Sequence, residues 1–390
     1  MSPLDFLADL LNPDLAFLPK ALAIAVAIGS ALLCAWPMNS AASASSSQDQ
    51  RLGGRARPVI TLQWPQFFGA GNEKSRDSAP RVLIPGGQAI GVAIRTQGVL
   101  VVGAGDNGRD SLREGDMILS VNGVPLLESA MLTEAVNAAQ GQPLSLRISR
   151  GGQENDLLLT PRYDESSRAW RLGVWVRDST AGVGTLTYID PANQAYGALG
   201  HAIVDADTGR LLAAREGAIL HASIVGVTKG QSGKAGELKG NFLKAGEQIG
   251  SLMENCEYGI YGVLDDMPEN LLYPQGLRAG ARSAVHTGAA SIIATVDADG
   301  PQEYGVEIVR CFAQSEPSQK GMILRVTDER LLEKTGGIVQ GMSGSPILQD
   351  GRIIGAVTHV YLSDATQGYG MYIEWMLEKS DAMDASEQAV

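Results

Sequence analysis

Short apolar runs punctuated by Gly, Pro, Asn and Asp dominate the chain, and helical periods are rare. From Arg81 the texture is β-rich, with Arg81 to Ile84, Ala89 to Arg95 and Gly98 to Val102 as strands. A turn at Gly115-Asp116 opens a further strand whose apolar members are Met117, Ile118, Leu119 and Val121. Asn122-Gly123 then supplies the positive-φ pair of a tight hairpin. Ser129 to Ala139 carries apolar residues at helical spacing, and Pro143 to Ile148 and Asp156 to Thr160 are two more strands. Beyond Trp170 the strands are Gly173 to Val176, Gly182 to Ile189, Gly217 to Val227, Gly259 to Leu264 and Ser291 to Val296. No long helical period returns until Glu374-Trp375-Met376-Leu377. Short strands at regular spacing predict an all-β barrel or sandwich, and the lack of a fixed-length repeat disfavours a propeller or solenoid. The predicted fold is mainly β.

The amino-terminal region reads differently. Ala21 to Trp36 is uncharged and apolar, entered by Lys20, and at sixteen residues is shorter than the roughly 20 of a spanning helix. The small residues Asn39 to Ala44 suit a signal-peptidase cut, so residues 1–44 are a signal or a retained anchor. Residues 45–81, polar and rich in Ser, Gly and Pro with one apolar run at Val59 to Trp64, read as a flexible tether. Export of the remainder follows. Ala31-Leu32-Leu33 before Cys34 lacks the small residues of a lipobox, so lipidation is not expected.

Charge and composition narrow the function. The chain has 390 residues, enough for two or three domains at about 150 each. Lys and Arg number 31 against 43 Asp and Glu, a net charge of -12, and no basic block forms a footprint for nucleic acid. Three cysteines and four histidines fall in no zinc-binding pattern, so no metal and no cofactor are expected. Cys256 and Cys311 are read as two buried free thiols; a bridge between them is the other possibility.

Residues 82–161 resemble a PDZ domain, on the Gly-Asp-x-Ile-Leu-x-Val-Asn-Gly core at 115–123, the helix after it and the closing strands. The resemblance implies a peptide added as a strand to a sheet edge, with the carboxylate loop at Ala89, Ile90, Gly91 and Val92 in place of the usual Gly-Leu-Gly-Phe.

The strongest chemical signal is Gly341-Met342-Ser343-Gly344-Ser345-Pro346, followed by Ile347-Leu348, Asp350-Gly351 and Arg352 to Val357. Glycines on both sides of Ser343 let the backbone turn sharply, exposing the hydroxyl while N–H groups converge on one point, as an oxyanion hole requires. Asp350-Gly351 closes a hairpin behind it. This stretch looks like the nucleophile region of chymotrypsin-like serine proteases, which implies Ser343 as nucleophile and the N–H groups of Gly341 and Ser343 as oxyanion donors. A serine needs a base, and an imidazole has the pKa for it. Of His201, His221, His286 and His359, only His201 lies upstream of the serine and just after the domain's first strands, where that topology puts the base. A carboxylate then orients the base; Asp205, Asp207 and Asp328 all qualify by spacing, although a turn explains the first two and the cap of a short helix, Glu329 to Lys334, explains the third.

The export segment, the PDZ-like module, Gly200-His201-Ala202, the serine loop and the tail Gly355 to Val360 through Gly368 to Met376 together resemble the stage IV sporulation protein B (SpoIVB) peptidases over residues 15–380. That resemblance implies a chymotrypsin-like double-barrel peptidase domain at 170–380 with the triad His201, Asp328 and Ser343. It also implies a self-cleaving endopeptidase exported from the forespore into the space between the two spore membranes. There its substrate is a membrane-bound regulator of the intramembrane protease that processes pro-sigma-K. Two other readings compete: a non-catalytic PDZ scaffold with a degenerate protease domain, and an envelope quality-control protease of broad specificity.

Overall fold

The computed structural model describes residues 81–105, 112–241 and 248–387, so the anchor, nearly all of the tether and Cys34 lie outside the described residues. In chain order come β1 (Val82–Pro85), β2 (Ala89–Ala104), β3 (Met117–Val121), β4 (Val124–Pro125), helix α1 (Ser129–Ala138), β5 (Leu144–Arg150), β6 (Gln153–Leu159), β7 (Arg162–Asp164), β8 (Ala169–Arg171) and β9 (Val174–Ile189). Then follow β10 (Ala195–Ala198), β11 (Ala214–His221), β12 (Ser223–Thr228), β13 (Glu237–Asn241), β14 (Gln248–Cys256) and β15 (Gly259–Leu264). The rest is β16 (Leu277–Ala279), β17 (Gly288–Thr295), β18 (Pro301–Cys311), β19 (Met322–Val326), α2 (Glu329–Thr335), β20 (Pro346–Gln349), β21 (Arg352–Val360), β22 (Gln367–Tyr372) and α3 (Ile373–Glu387).

The pairings close two antiparallel rings of six strands. In the first, β2 pairs with β9, β9 with β10, β10 with β15, β15 with β14, β14 with β11, and β11 with β2 again. In the second, β17 pairs with β18, β18 with β19, β19 with β22, β22 with β21, β21 with β20, and β20 with β17. Closure leaves neither ring with an open edge. Ile90, Ile94, Leu186, Tyr196, Ile219 and Ile260 are buried in the first, and Ile292, Tyr304, Ile308, Met322, Ile347 and Val357 in the second. Tyr304, Val306 and Ile308 show the period of two that turns alternate side chains inward, each fully buried apolar one contributing about 1.5–3 kcal/mol.

Both β2 and β9 are sixteen residues long and outrun the ring. Their far ends pair through Leu100↔Arg177 to Ala104↔Val174, and β2 also pairs with β3 there, building a smaller sheet with β5 and β6 under α1. Its core is Val99, Val101, Ile118, Leu132, Leu146 and Ile148 with their neighbours. The module is thus an insertion in the β2–β9 hairpin of the first ring. This corrects the domain boundaries expected at 82–161 and 170–380. Residues 82–95 belong to the ring, because Ala89 to Arg95 is paired with β9 on one side and β11 on the other. Ala89, Ile90 and Val92 are buried in it, and with both edges taken the segment Ala89-Ile90-Gly91-Val92 has no open strand edge for a peptide.

The turns follow the sequence closely. Asn122 and Gly123 have φ of 49° and 79°, and Asp350 and Gly351 have 50° and 69°, the left-handed pairs that tight hairpins use. The thiols of Cys256 and Cys311 are unbridged and half-buried.

Candidate active site

The serine loop runs from the end of α2 to β20 and is pinned to β9 at one residue. Thr185 donates its hydroxyl to the Gly341 carbonyl (2.8 Å) and its N–H to the Ser343 carbonyl (2.9 Å). Gly344 donates to Val357 on β21 (2.7 Å). With φ of 96°, a Cβ on Gly344 would stand 2.0 Å from the Thr185 carbonyl oxygen and 2.5 Å from the Leu199 nitrogen, so only glycine fits. Those approaches bring the segment leading into His201 alongside the serine. The N–H groups of Gly341 and Ser343, the expected oxyanion donors, have no hydrogen-bond partner among the described residues.

Leu199 and Gly200 both take φ of 67°, a left-handed turn straight after β10 that delivers His201. For Leu199 this is a strained conformation, of the kind that concentrates at functional sites. His201 Nδ1 lies 2.8 Å from the Ala202 carbonyl. A carbonyl only accepts, so Nδ1 carries the proton and Nε2 keeps its lone pair for use as a base. Burial lowers the His201 pKa, opposed in part by that carbonyl. The Ser343 hydroxyl donates to the Thr358 carbonyl (2.9 Å), so here it is held on β21 and makes no hydrogen bond to His201. A cavity of about 570 Å³ opens next to the base, lined by Ala202, Leu211, Glu257, Tyr258, Gln319 and Lys320 among others.

The structure does not bring Asp328 to the base. Its carboxylate caps α2 through the Arg330 N–H (2.9 Å), pairs with the Arg330 guanidinium (2.8 Å) and accepts from the Gly305 N–H (3.3 Å). The Arg330 contact, helped by the two N–H groups, holds its pKa down at about 2. Asp205 and Asp207 are turn residues: the Asp205 carboxylate accepts from the N–H groups of Asp207 and Thr208, and both aspartates pair with Arg177. His221 is exposed on β11, and His286 is exposed with Nε2 3.0 Å from Asp350.

The residue that spacing passed over is His359. Its ring lies 5.3 Å from that of His201, centroid to centroid, tilted by 43°. Its Nδ1 is buried without a partner. Burial first, then the neighbouring His201 and Lys320, push its pKa down to about 3. The signal in the sequence was its place directly after Thr358 on the strand that borders the serine loop.

Two closed antiparallel rings, with a glycine-flanked serine loop packed against the segment that leads into an imidazole pair, mark a β-barrel protein. Residues 168–377, more than half of the chain, match SpoIVB peptidase S55, and the chain belongs to this serine peptidase family. No curated protein matches it. Among solved structures, the active form of the Rv3671c protease from M. tuberculosis is 14% identical, with 51% of this chain and 72% of that one covered and a TM-score of 0.30. Its inactive form is 15% identical, with coverage of 49% and 78% and a TM-score of 0.28. The PDZ domain of the SdrC-like protein from Listeria monocytogenes is 17% identical over 20% of this chain and 87% of that one, with a TM-score of 0.20. The family match, not these likenesses, places the chain.

Proposed function

We propose that the protein is an endopeptidase in which Ser343 is the nucleophile, His201 the general base, and the Gly341 and Ser343 N–H groups the oxyanion donors. The observation that carries this is the glycine loop, whose two unpartnered N–H groups flank a serine packed against the His201 segment. Rotation about the Ser343 side chain moves the hydroxyl from the Thr358 carbonyl to His201 Nε2. The imidazole takes the proton as Oγ attacks a peptide carbonyl, the N–H pair stabilises the oxyanion, and His201 returns the proton to the departing amine before water releases the acyl group. The family resemblance gives Asp328 the third place. In the present conformation its carboxylate is committed to Arg330 and Gly305, so that role would require a rearranged α2 terminus.

The biological reading comes from the family and the amino-terminal sequence. In it the peptidase is exported from the forespore, held by or released from residues 1–44, trims its own amino-terminal region, and cleaves a membrane-bound regulator in the space between the forespore and mother-cell membranes to trigger pro-sigma-K processing. Sequencing the amino terminus of purified full-length protein after incubation tests the self-cleavage. Wild type is expected to lose residues from the segment 1–81, while Ser343→Ala stays intact and folded. Trimming of the purified Ser343→Ala protein at the wild-type rate would refute the assignment.

A further inference from the structure

We propose that His359 is the positioning residue for His201, its imidazole taking the part that a carboxylate usually plays in a triad. This rests on the serine peptidase reading above and adds to it a member that neither spacing nor resemblance supplies.

The argument begins with supply and demand for hydrogen bonds. An imidazole acting as base becomes an imidazolium, and the N–H on its far nitrogen then needs a good acceptor to fix the ring and hold the charge. Among the described residues no carboxylate bonds to His201: Asp328 is held by Arg330 and Gly305, and Asp205 by Arg177 and its own turn. Nδ1 of His201 has only the carbonyl of the next residue. Against this, His359 presents a buried Nδ1 with no partner, in a ring whose centroid is 5.3 Å away. Leaving a buried polar nitrogen unpaired is destabilising, a penalty that a hydrogen bond made in another state of the site would remove.

Topology supports the same role. His201 enters from the end of β10 in the first ring and His359 from β21 in the second, so the pair spans the two rings at the serine loop. Thr358 and His359 are consecutive, and the Thr358 carbonyl is what holds the Ser343 hydroxyl. One strand segment therefore touches the nucleophile with one residue and the base with the next.

Charge decides which form of His359 is present. The groups facing it are His201, Lys320 from the β18–β19 connection and Tyr369, its cross-strand partner, with the Lys320 ammonium 4.8 Å from the centre of the Tyr369 ring. Glu257, from the β14–β15 turn, lines the cavity that Lys320 and Ala202 share. Burial, with the Lys320 ammonium nearby, keeps the imidazole neutral, and a neutral imidazole has one nitrogen that accepts. During acylation the Ser343 proton moves to His201 Nε2, the Oγ–C bond forms and the carbonyl π electrons move to oxygen. The His201 Nδ1–H then turns from the Ala202 carbonyl toward the His359 lone pair. No proton passes to His359, and the proton on Nε2 leaves with the amine as the C–N bond breaks.

The test is the second-order rate of labelling of Ser343 by a fluorophosphonate, measured from about pH 5 to pH 9 on purified wild type and on His359→Asn, His359→Ala and His359→Asp, with thermal unfolding of each. Loss of the acceptor in His359→Ala is expected to slow labelling about 30-fold or more, whereas His359→Asn, whose amide oxygen takes the place of Nδ1, stays within about fivefold of wild type. His359→Asp puts a negative charge beside His201 and is expected to raise the midpoint of the acid limb by about half a pH unit or more. The inference is overturned if folded Asn and Ala variants slow equally, or if all three keep the wild-type rate and acid limb. Should the Ala variant fail to fold, the Asn and Asp variants decide the matter by the same readings. A folded wild type that takes no label removes the peptidase reading and this inference with it, while a labelled wild type with unmoved variants removes the inference alone.

Discussion

At the scale of single residues, the proposed chemistry depends on which protonation state His201 keeps. Only the neutral ring can take the Ser343 proton. Burial lowers the pKa, so the ring stays neutral further into acid than an unperturbed imidazole, and activity is lost only as pH falls through that lowered value. The acid limb of kcat/KM on a peptide substrate is therefore expected to have its midpoint below about pH 6.5. A midpoint above that value would mean that an ionised carboxylate reaches His201 in the working enzyme. The glycine loop at Ser343 and the place of His201 just after β10 were legible in the sequence because both are local signals. The closeness of His359 to His201 was not, because it depends on two rings folding against each other. The partner of Asp328 illustrates the same limit. Spacing made it a candidate both as an orienting carboxylate and as a helix cap, and the structure shows the cap, with Arg330 two residues on absorbing its charge.

Elements turn that ambiguity into an experiment. Asparagine caps a helix about as well as aspartate does, whereas alanine loses about 1 kcal/mol. Asp328→Asn is thus expected to unfold within about 1 kcal/mol of wild type and, with no contact to His201, to keep a fluorophosphonate labelling rate within about tenfold. A fall of about 10⁴-fold in a folded Asp328→Asn protein would put Asp328 in the working triad through a rearranged α2. Hairpins at Asn122-Gly123 and Asp350-Gly351, strand β15 and helix α2 were readable from turn chemistry and periodicity. The length of β2 was not. Arg95 and Thr96 look like a polar break between two strands, yet both are buried, Arg95 by its ion pair with Glu128 and Thr96 by hydrogen bonds to the Gly98 and Asp178 carbonyls. A satisfied polar pair inside a continuous strand has no signature in hydrophobic alternation.

Across the whole described molecule, the consequence of that long strand is that the module reaches the turn after His201. Arg177, on the module half of β9, pairs with Asp205 (2.5 Å) and Asp207 (2.8 Å) in the turn after His201. Arg210, at the end of that turn, donates to the Gly115 carbonyl in the module (2.6 Å). The Asp205 side chain is fully buried, so removing its cation leaves an uncompensated charge. Arg177→Ala is expected to lower unfolding stability by about 2–3 kcal/mol, allowing for the quarter of Arg177 that faces water, and to slow Ser343 labelling by loosening the His201 turn. Urea denaturation and labelling kinetics on the same preparation check both. Unchanged stability would show that the ion pair does not brace the turn. A PDZ-like texture and a β domain are both readable in the sequence, but continuity of chain is not continuity of domain, and only strand pairing reveals that one is inserted in the other.

Every scale depends on the Ser343 hydroxyl being activated by His201. The most direct measurement is mass-spectrometric mapping of a fluorophosphonate label on folded wild type and on folded His201→Ala protein. The label is expected on Ser343 in wild type and at least about 10³-fold slower in the variant. Labelling of Ser343 at the same rate in both proteins would contradict the account, as would a folded wild type with Ser343 unmodified.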